Sequence, residues 1–233
     1  MNYITFNGHS SYEYGLAISG EASYDAPARD RTVYTIPGRN GDLIIDNGRY
    51  KNITVKYPAF FTGSFTSNVE AVRAWLLTPT AYVRLEDTYH TDEFRLAIFS
   101  GSFGAEPTPW ALHAETELAF NCKPQRFLKT GEVPQSVSNG DTITNPTDFP
   151  ALPLIDIVCT GDGVISVGGT TVTLTGLTGG ITIDCDLQDA YYGGLSANDL
   201  MSGNFPVLAP GANGIAITGD ITSCTITPRW WRL

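Results

Sequence analysis

Residues 53–61 read ITVKYPAFF, and one parity of the stretch is apolar throughout: Ile53, Val55, Tyr57, Ala59 and Phe61. Side chains that alternate with period two describe a strand with one face in a core and the other toward water. The same alternation returns in Phe94, Leu96 and Ile98, and again in Leu112, Ala114, Leu118, Phe120 and Cys122. A mainly β protein is therefore expected.

Working outward, residues 37–53 (PGRNGDLIIDNGRYKNI) hold two glycine-marked turns. Asn-Gly supplies the two positive-φ positions of a type I′ turn, so Asp46-Asn47-Gly48 is expected to join LIID and RYKNITV as paired antiparallel strands. Between Tyr82 and Phe99 two apolar segments flank a polar centre, the pattern of a hairpin with a longer loop. One segment prefers helix. Ser67-Asn68-Val69-Glu70 fits a capping box, Val69, Val72 and Leu76 recur at helical spacing beside Trp75, and Pro79 stops the run.

Composition shifts after Leu128. Residues 130–153 are rich in Gly, Pro, Ser, Thr and Asn, which predicts a first domain over 1–130 and a second domain over 131–233. In the second half, Val164–Val167, Thr171–Leu174 and Ile181–Asp184 read as short threonine-rich strands, with Gly161-Asp162-Gly163 as a turn. Short strands at this spacing predict an antiparallel β-sandwich.

The formal net charge is -10, from 14 basic and 24 acidic residues. A general nucleic-acid binder needs a basic face, so that class is disfavoured. No apolar run reaches the length needed to span a bilayer, and MNYITFNGHS lacks the basic start and apolar core of a signal peptide. The chain is expected to be made in the cytoplasm, without membrane insertion. Cys122, Cys159, Cys185 and Cys224 form no Cys-x-x-Cys pair and lie in apolar runs, which predicts reduced core cysteines.

The search for chemistry finds no recognised motif. His9, His90 and His113 are isolated from any catalytic spacing, and neither phosphate-binding glycine motif occurs. Asp184 and Asp186 are expected to share a strand face that could offer oxygens to calcium, against the blander reading of a solvated acidic face. At the C-terminus, adjacent Trp230 and Trp231 must point to opposite faces, one into a core and one toward solvent, a sugar or a docking partner.

Several separate stretches, in order, resemble one family. FNGHSSYEYGLAISG (6–20), IPGRNGDLIIDNGRYKN (36–52), FNCKPQRFL (120–128), NFPVLAPGANGI (204–215) and the terminal PRWW (228–231) together look like the distal tail protein (Dit) of long-tailed, non-contractile bacteriophages. The resemblance runs nearly end to end. It implies a tail-tube-like N-terminal domain of two packed sheets with a helix, followed by a galectin-like, carbohydrate-binding-module-like β-sandwich. It further implies a structural, non-enzymatic virion protein, without cofactor, that forms a homo-hexameric hub ring at the tail tip. Implied partners are the tail tube protein, the tape measure protein, the tail-associated tip protein and, in many phages, receptor-binding proteins, with DNA only passing through the lumen.

A ring subunit presents one surface to a different surface of its neighbour. Pro37, Gly38, Arg39, Asn40, Gly41 and Asp42 suit such a contact. Pro37 stiffens the entry, Gly38 and Gly41 permit unusual backbone angles, and Arg39 offers a planar fork to a carboxylate. Either this loop reaches the adjacent subunit, or Arg39 pairs within the chain with Asp42 or Asp46. A second reading makes the acidic C-terminal sandwich a module for host cell-wall sugars. An enzyme acting on cell-wall polymer is the least supported, since no acid/base pair can be named.

Overall fold

The structure, a computed structural model, describes residues 1–20, 25–62, 65–107 and 114–233. Leu112 and His113, both singled out in the sequence, lie outside the described residues. The fold is mainly β, as the alternation predicts, and the chain divides into two compact units at Arg126/Phe127.

In the first unit the order is β1 (Ile4–Phe6), β2 (His9–Ser10), β3 (Leu16–Ile18), β4 (Arg29–Tyr34), β5 (Leu43–Tyr50), β6 (Ile53–Phe61), α1 (Phe65–Leu77), β7 (Val83–Asp87), β8 (Glu93–Phe99), β9 (Glu106–Pro107) and β10 (Ala114–Leu128). Strands β2-β1-β7-β8-β10-β6-β3 pair in that order, with β9 on β10. An isolated bridge links Asn2, just before β1, to Ile18 in β3, leaving β2 as an unpaired edge among the described residues. The expected two-layer arrangement is thus realised by one sheet that curls around a single core. That core holds Ile4, Phe6, Phe61, Leu85, Leu118 and Phe120, all at 2% exposure or less. The parity read in ITVKYPAFF holds: Val55, Tyr57, Ala59 and Phe61 are buried while Thr54, Lys56 and Pro58 face out.

Helix α1 closes the core with Val72, Trp75 and Leu76. Trp75 donates its indole N–H to the Phe6 carbonyl at 2.9 Å and packs edge-on against the Phe6 ring. The helix begins at Phe65, so Ser67 lies inside its first turn and not at the cap, correcting the capping box read there. A capping box does occur at Ser10–Glu13, where the Ser10 hydroxyl accepts from Tyr12 N–H and the Glu13 carboxylate accepts from Ser10 N–H. The expected hairpin is β7 and β8, whose loop is held by Asp87 accepting from the Tyr89 and His90 amides.

The second unit contains β11 (Gln135–Val137), β12 (Thr142–Asn145), β13 (Leu154–Val167), β14 (Thr170–Thr178), β15 (Ile181–Asp184), β16 (Asp189–Tyr192), β17 (Leu195–Ser196), β18 (Met201–Gly203) and β19 (Gly211–Thr227). Its spine is the long antiparallel pair β13/β19. The first half of β13 pairs β15, and its second half pairs β14. One pair of strands therefore serves both layers, bending where the register shifts between Cys159 and Gly163.

Here the sequence expectation is corrected. Gly161-Asp162-Gly163 is not a turn between short strands but the bulge inside β13. A Cβ on Gly163 would lie 2.7 Å from Ile221 Cγ1, and one on Gly219 would lie 2.5 Å from the Asp162 carbonyl oxygen. Glycine at both positions lets the crossing backbones approach. Around this bend pack Ile155, Cys159, Ile165, Val167, Leu174 and Ile226.

Candidate functional site

Among the described residues, strands β4 and β5 pair only with each other, forming an arm whose turn spans residues 35–42. The predicted Asn47-Gly48 hairpin is therefore absent: β5 runs unbroken through both residues. Asn-Gly instead sits in a bulge, where Arg29 pairs Tyr50 and Arg31 pairs Asp46, so Asn47, Gly48 and Arg49 oppose the single residue Asp30. Gly48 has φ 73°, and its N–H donates to the Asp46 carboxylate at 2.8 Å. The positive-φ requirement that marks a type I′ turn is met here by a bulge.

Ion pairs fix the base of the arm. Arg29 Nε lies 2.8 Å from Asp46 Oδ2 and its guanidinium covers the Tyr50 ring, while Arg49 and Lys51 both approach Asp30. The Gly48 amide and then Arg29 hold the Asp46 carboxyl below its usual range, and Arg49 does the same for Asp30.

Beyond that base the arm exposes apolar side chains on both faces. Opposed residues share a face and successive pairs alternate. Val33 opposes Ile44 on one face, while Tyr34 opposes Leu43 and Thr32 opposes Ile45 on the other. Val33, Tyr34, Leu43, Ile44 and Ile45 are 54%, 52%, 41%, 57% and 47% exposed. A two-stranded ribbon is marginal alone in water, and strands apolar on both faces belong where both faces are covered. Covering the exposed halves would contribute about 1 kcal/mol per side chain. Solvent-exposed ion pairs contribute less, so the apolar faces dominate whatever the arm binds.

At the turn, residues 37–42 are all exposed, Gly38 and Gly41 both have φ 80°, and Arg39 N–H donates to the Ile36 carbonyl. Asp42 accepts from the Thr35 hydroxyl, and Asp46 is held by Arg29 and Gly48. Among the described residues the Arg39 guanidinium has no ion-pair partner. The intrachain pairing of Arg39 with Asp42 or Asp46 is not formed.

The remaining candidates are structural. Strand β15 ends at Asp184 and Asp186 lies in the following turn, so the two do not share a strand face. Asp184 instead accepts the Asp186 and Leu187 amides and a bidentate contact from Arg229. Sequence reasoning missed Arg229, whose partner is 45 residues away. Among the described residues no group of three His, Cys, Asp or Glu could hold a metal. His9 pairs with Glu13 and His90 with Asp87. The four cysteines are free and buried, and burial pushes the thiols of Cys185 and Cys224 up to about 12.

Trp230 is a core residue at 3% exposure, which leaves no free ring face for a sugar. Trp231 is half-buried, stacked on Phe149 with ring centroids 4.6 Å apart and donating to the Pro150 carbonyl.

No family model matches the sequence, and no curated protein does. The fold, however, is one already seen in solved structures: that of phage hub and baseplate proteins. In particular, the chain matches the crystal structure of SPP1 Dit, described as a paradigm of the hub adsorption apparatus in phages infecting Gram-positive bacteria. The TM-score is 0.79 at 13% identity over 100% of both chains. It also matches a chain of the phage p2 baseplate in its activated conformation with Sr, at TM-score 0.54 and 9% identity over 100% of this chain and 97% of that one. The same baseplate with Ca gives 0.53 and 9% over 97% of each. The chain therefore has a full-length Dit-like fold. No helix among the described residues is long and apolar enough to cross a membrane.

Proposed function

We propose that this chain is a structural, non-enzymatic subunit of a phage tail tip, assembling as a homo-hexameric hub ring between the tail tube and the tip proteins. The observation that carries the reading is the arm: a two-stranded ribbon with apolar side chains on both faces and, at its turn, an arginine without an ion-pair partner among the described residues. Such a surface is stable when buried against other subunits. The full-length Dit-like fold supplies the setting. In this reading residues 1–130 form the ring-building domain and 131–233 the galectin-like domain, with Pro37–Asp42 reaching the adjacent subunit. Tape measure, tip and receptor-binding proteins are the expected neighbours, and DNA passes through the lumen. Negative-stain imaging of the purified protein tests the reading: six-fold rings, alone or with a tail partner, are expected, and a particle that stays single with every partner contradicts it.

A further inference from the structure

A heterologous interface needs a receptor for the arm as well as the arm itself. Charge points to where that receptor lies. Residues 29–51 hold five basic and three acidic residues, while the rest of the chain holds nine basic and twenty-one acidic. The arm is thus a cationic element on an acidic protein, and another copy of the same chain is its electrostatic complement.

At the open edge of the first unit's sheet, β1, β2 and the turn after them form a groove of about 590 Å³. Met1, Tyr3, Thr5, Ser10, Tyr12 and Glu13 are among the residues that line it. Tyr3 is 40% and Tyr12 63% exposed, so two aromatic rings stand beside a carboxylate. Rings and a carboxylate together are what a guanidinium binds, by stacking and by charge. Glu13 donates nothing and keeps lone pairs beyond those facing Ser10 N–H and His9 Nδ1.

We propose that the arm's turn, Ile36–Arg39, seats in the Tyr3/Tyr12 groove of the next copy, with Arg39 against the two rings and the Glu13 carboxylate. This rests on the self-assembly reading and adds the identity of the receiving surface. The contact is head-to-tail, so every copy gives one arm and receives one.

Site-directed cross-linking in the full chain tests it. Arg39→Cys and Tyr12→Cys variants are co-expressed and mildly oxidised, with Arg39→Cys plus Ser223→Cys as control; all four native thiols are buried. An inter-chain disulfide is expected from the first pair and not from the control, nor from either variant alone. Assemblies that form without that disulfide, or an Arg39→Cys variant that links to itself, overturn the docking while leaving self-assembly standing. A protein monomeric in every combination, wild type included, both alone and with a tail partner present, overturns both.

Discussion

Arg229 grips Asp184 with two parallel contacts, Nη1 to Oδ1 at 2.7 Å and Nη2 to Oδ2 at 2.9 Å. The carboxylate side chain is 6% exposed and the guanidinium 31%. Arg229 also sits at φ 60°, a left-handed backbone that costs an L-residue about 1 kcal/mol. The ion pair ties the segment before the C-terminus to the end of β15. Removing one partner strands a buried charge, so Arg229→Ala is expected to destabilise the second unit by about 2 to 3 kcal/mol. Arg229→Gly also loses the pair but sheds the backbone penalty, and its melting temperature should lie above that of Arg229→Ala. The reverse order would show that the strained backbone is not part of the cost.

The same pair sets a pH dependence. Arg229, followed by the amides of Leu187 and Asp186, holds the folded Asp184 carboxyl below its unfolded value. A depressed folded pKa stabilises above the unfolded value of about 3.9 and loses that contribution as pH falls through the folded one. The melting-temperature gap between wild type and Asp184→Asn should therefore be widest near neutral pH and narrow below about pH 4. A gap constant across that range would contradict the assignment.

Glycine positions in the two units should differ in kind. Gly219 has φ 82°, and a Cβ there would meet the Asp162 carbonyl oxygen at 2.5 Å and Gly163 Cα at 2.8 Å. Gly219→Ala is expected to cost about 2 to 5 kcal/mol, from left-handed strain plus backbone overlap. Gly48 has φ 73° with open space around it, so Gly48→Ala should cost only about 1 to 2 kcal/mol. Urea unfolding of both variants distinguishes them, and equal losses would remove the argument that β13 and β19 need close contact at the bend.

Thiol chemistry offers a check on both cores. Cys122 is pushed up to about 11 and Cys185 and Cys224 to about 12, in each case first by burial. Native protein at neutral pH should resist a thiol-reactive dye and release four equivalents of signal on denaturation. Rapid labelling of the folded protein would mean that one core opens readily.

Periodicity made much of this architecture legible. The buried parity of β6, the β7/β8 hairpin and the inward face of α1 are all local patterns, and local patterns survive folding. What escaped depended on pairing at a distance. Strand β4, RDRTVY, carries too many charges to resemble a core strand, and without it Asn47-Gly48 looked like the hairpin's turn. In β13 the glycines between apolar runs looked like punctuation, because a bend and a turn ask the same φ of the chain. Asp184 looked like half of a cation site because its true partner, Arg229, is remote in sequence. The turn at Pro37–Asp42 stood out for its glycines, but the apolar faces behind it became visible only once β4 was set against β5.

Assembly through the arm is the central claim, and the solution mass of the full chain tests it most directly. Ile44 is 57% exposed and paired only with Val33 across the arm, so Ile44→Asp should leave the melting temperature of the subunit nearly unchanged while removing its capacity to associate. Light scattering should give the wild type a mass six times the 25.2 kDa of one chain, increased by the partner's own mass where a tail partner is needed for assembly, and the variant the mass of a single chain. An Ile44→Asp protein that assembles as fully as the wild type would contradict the account.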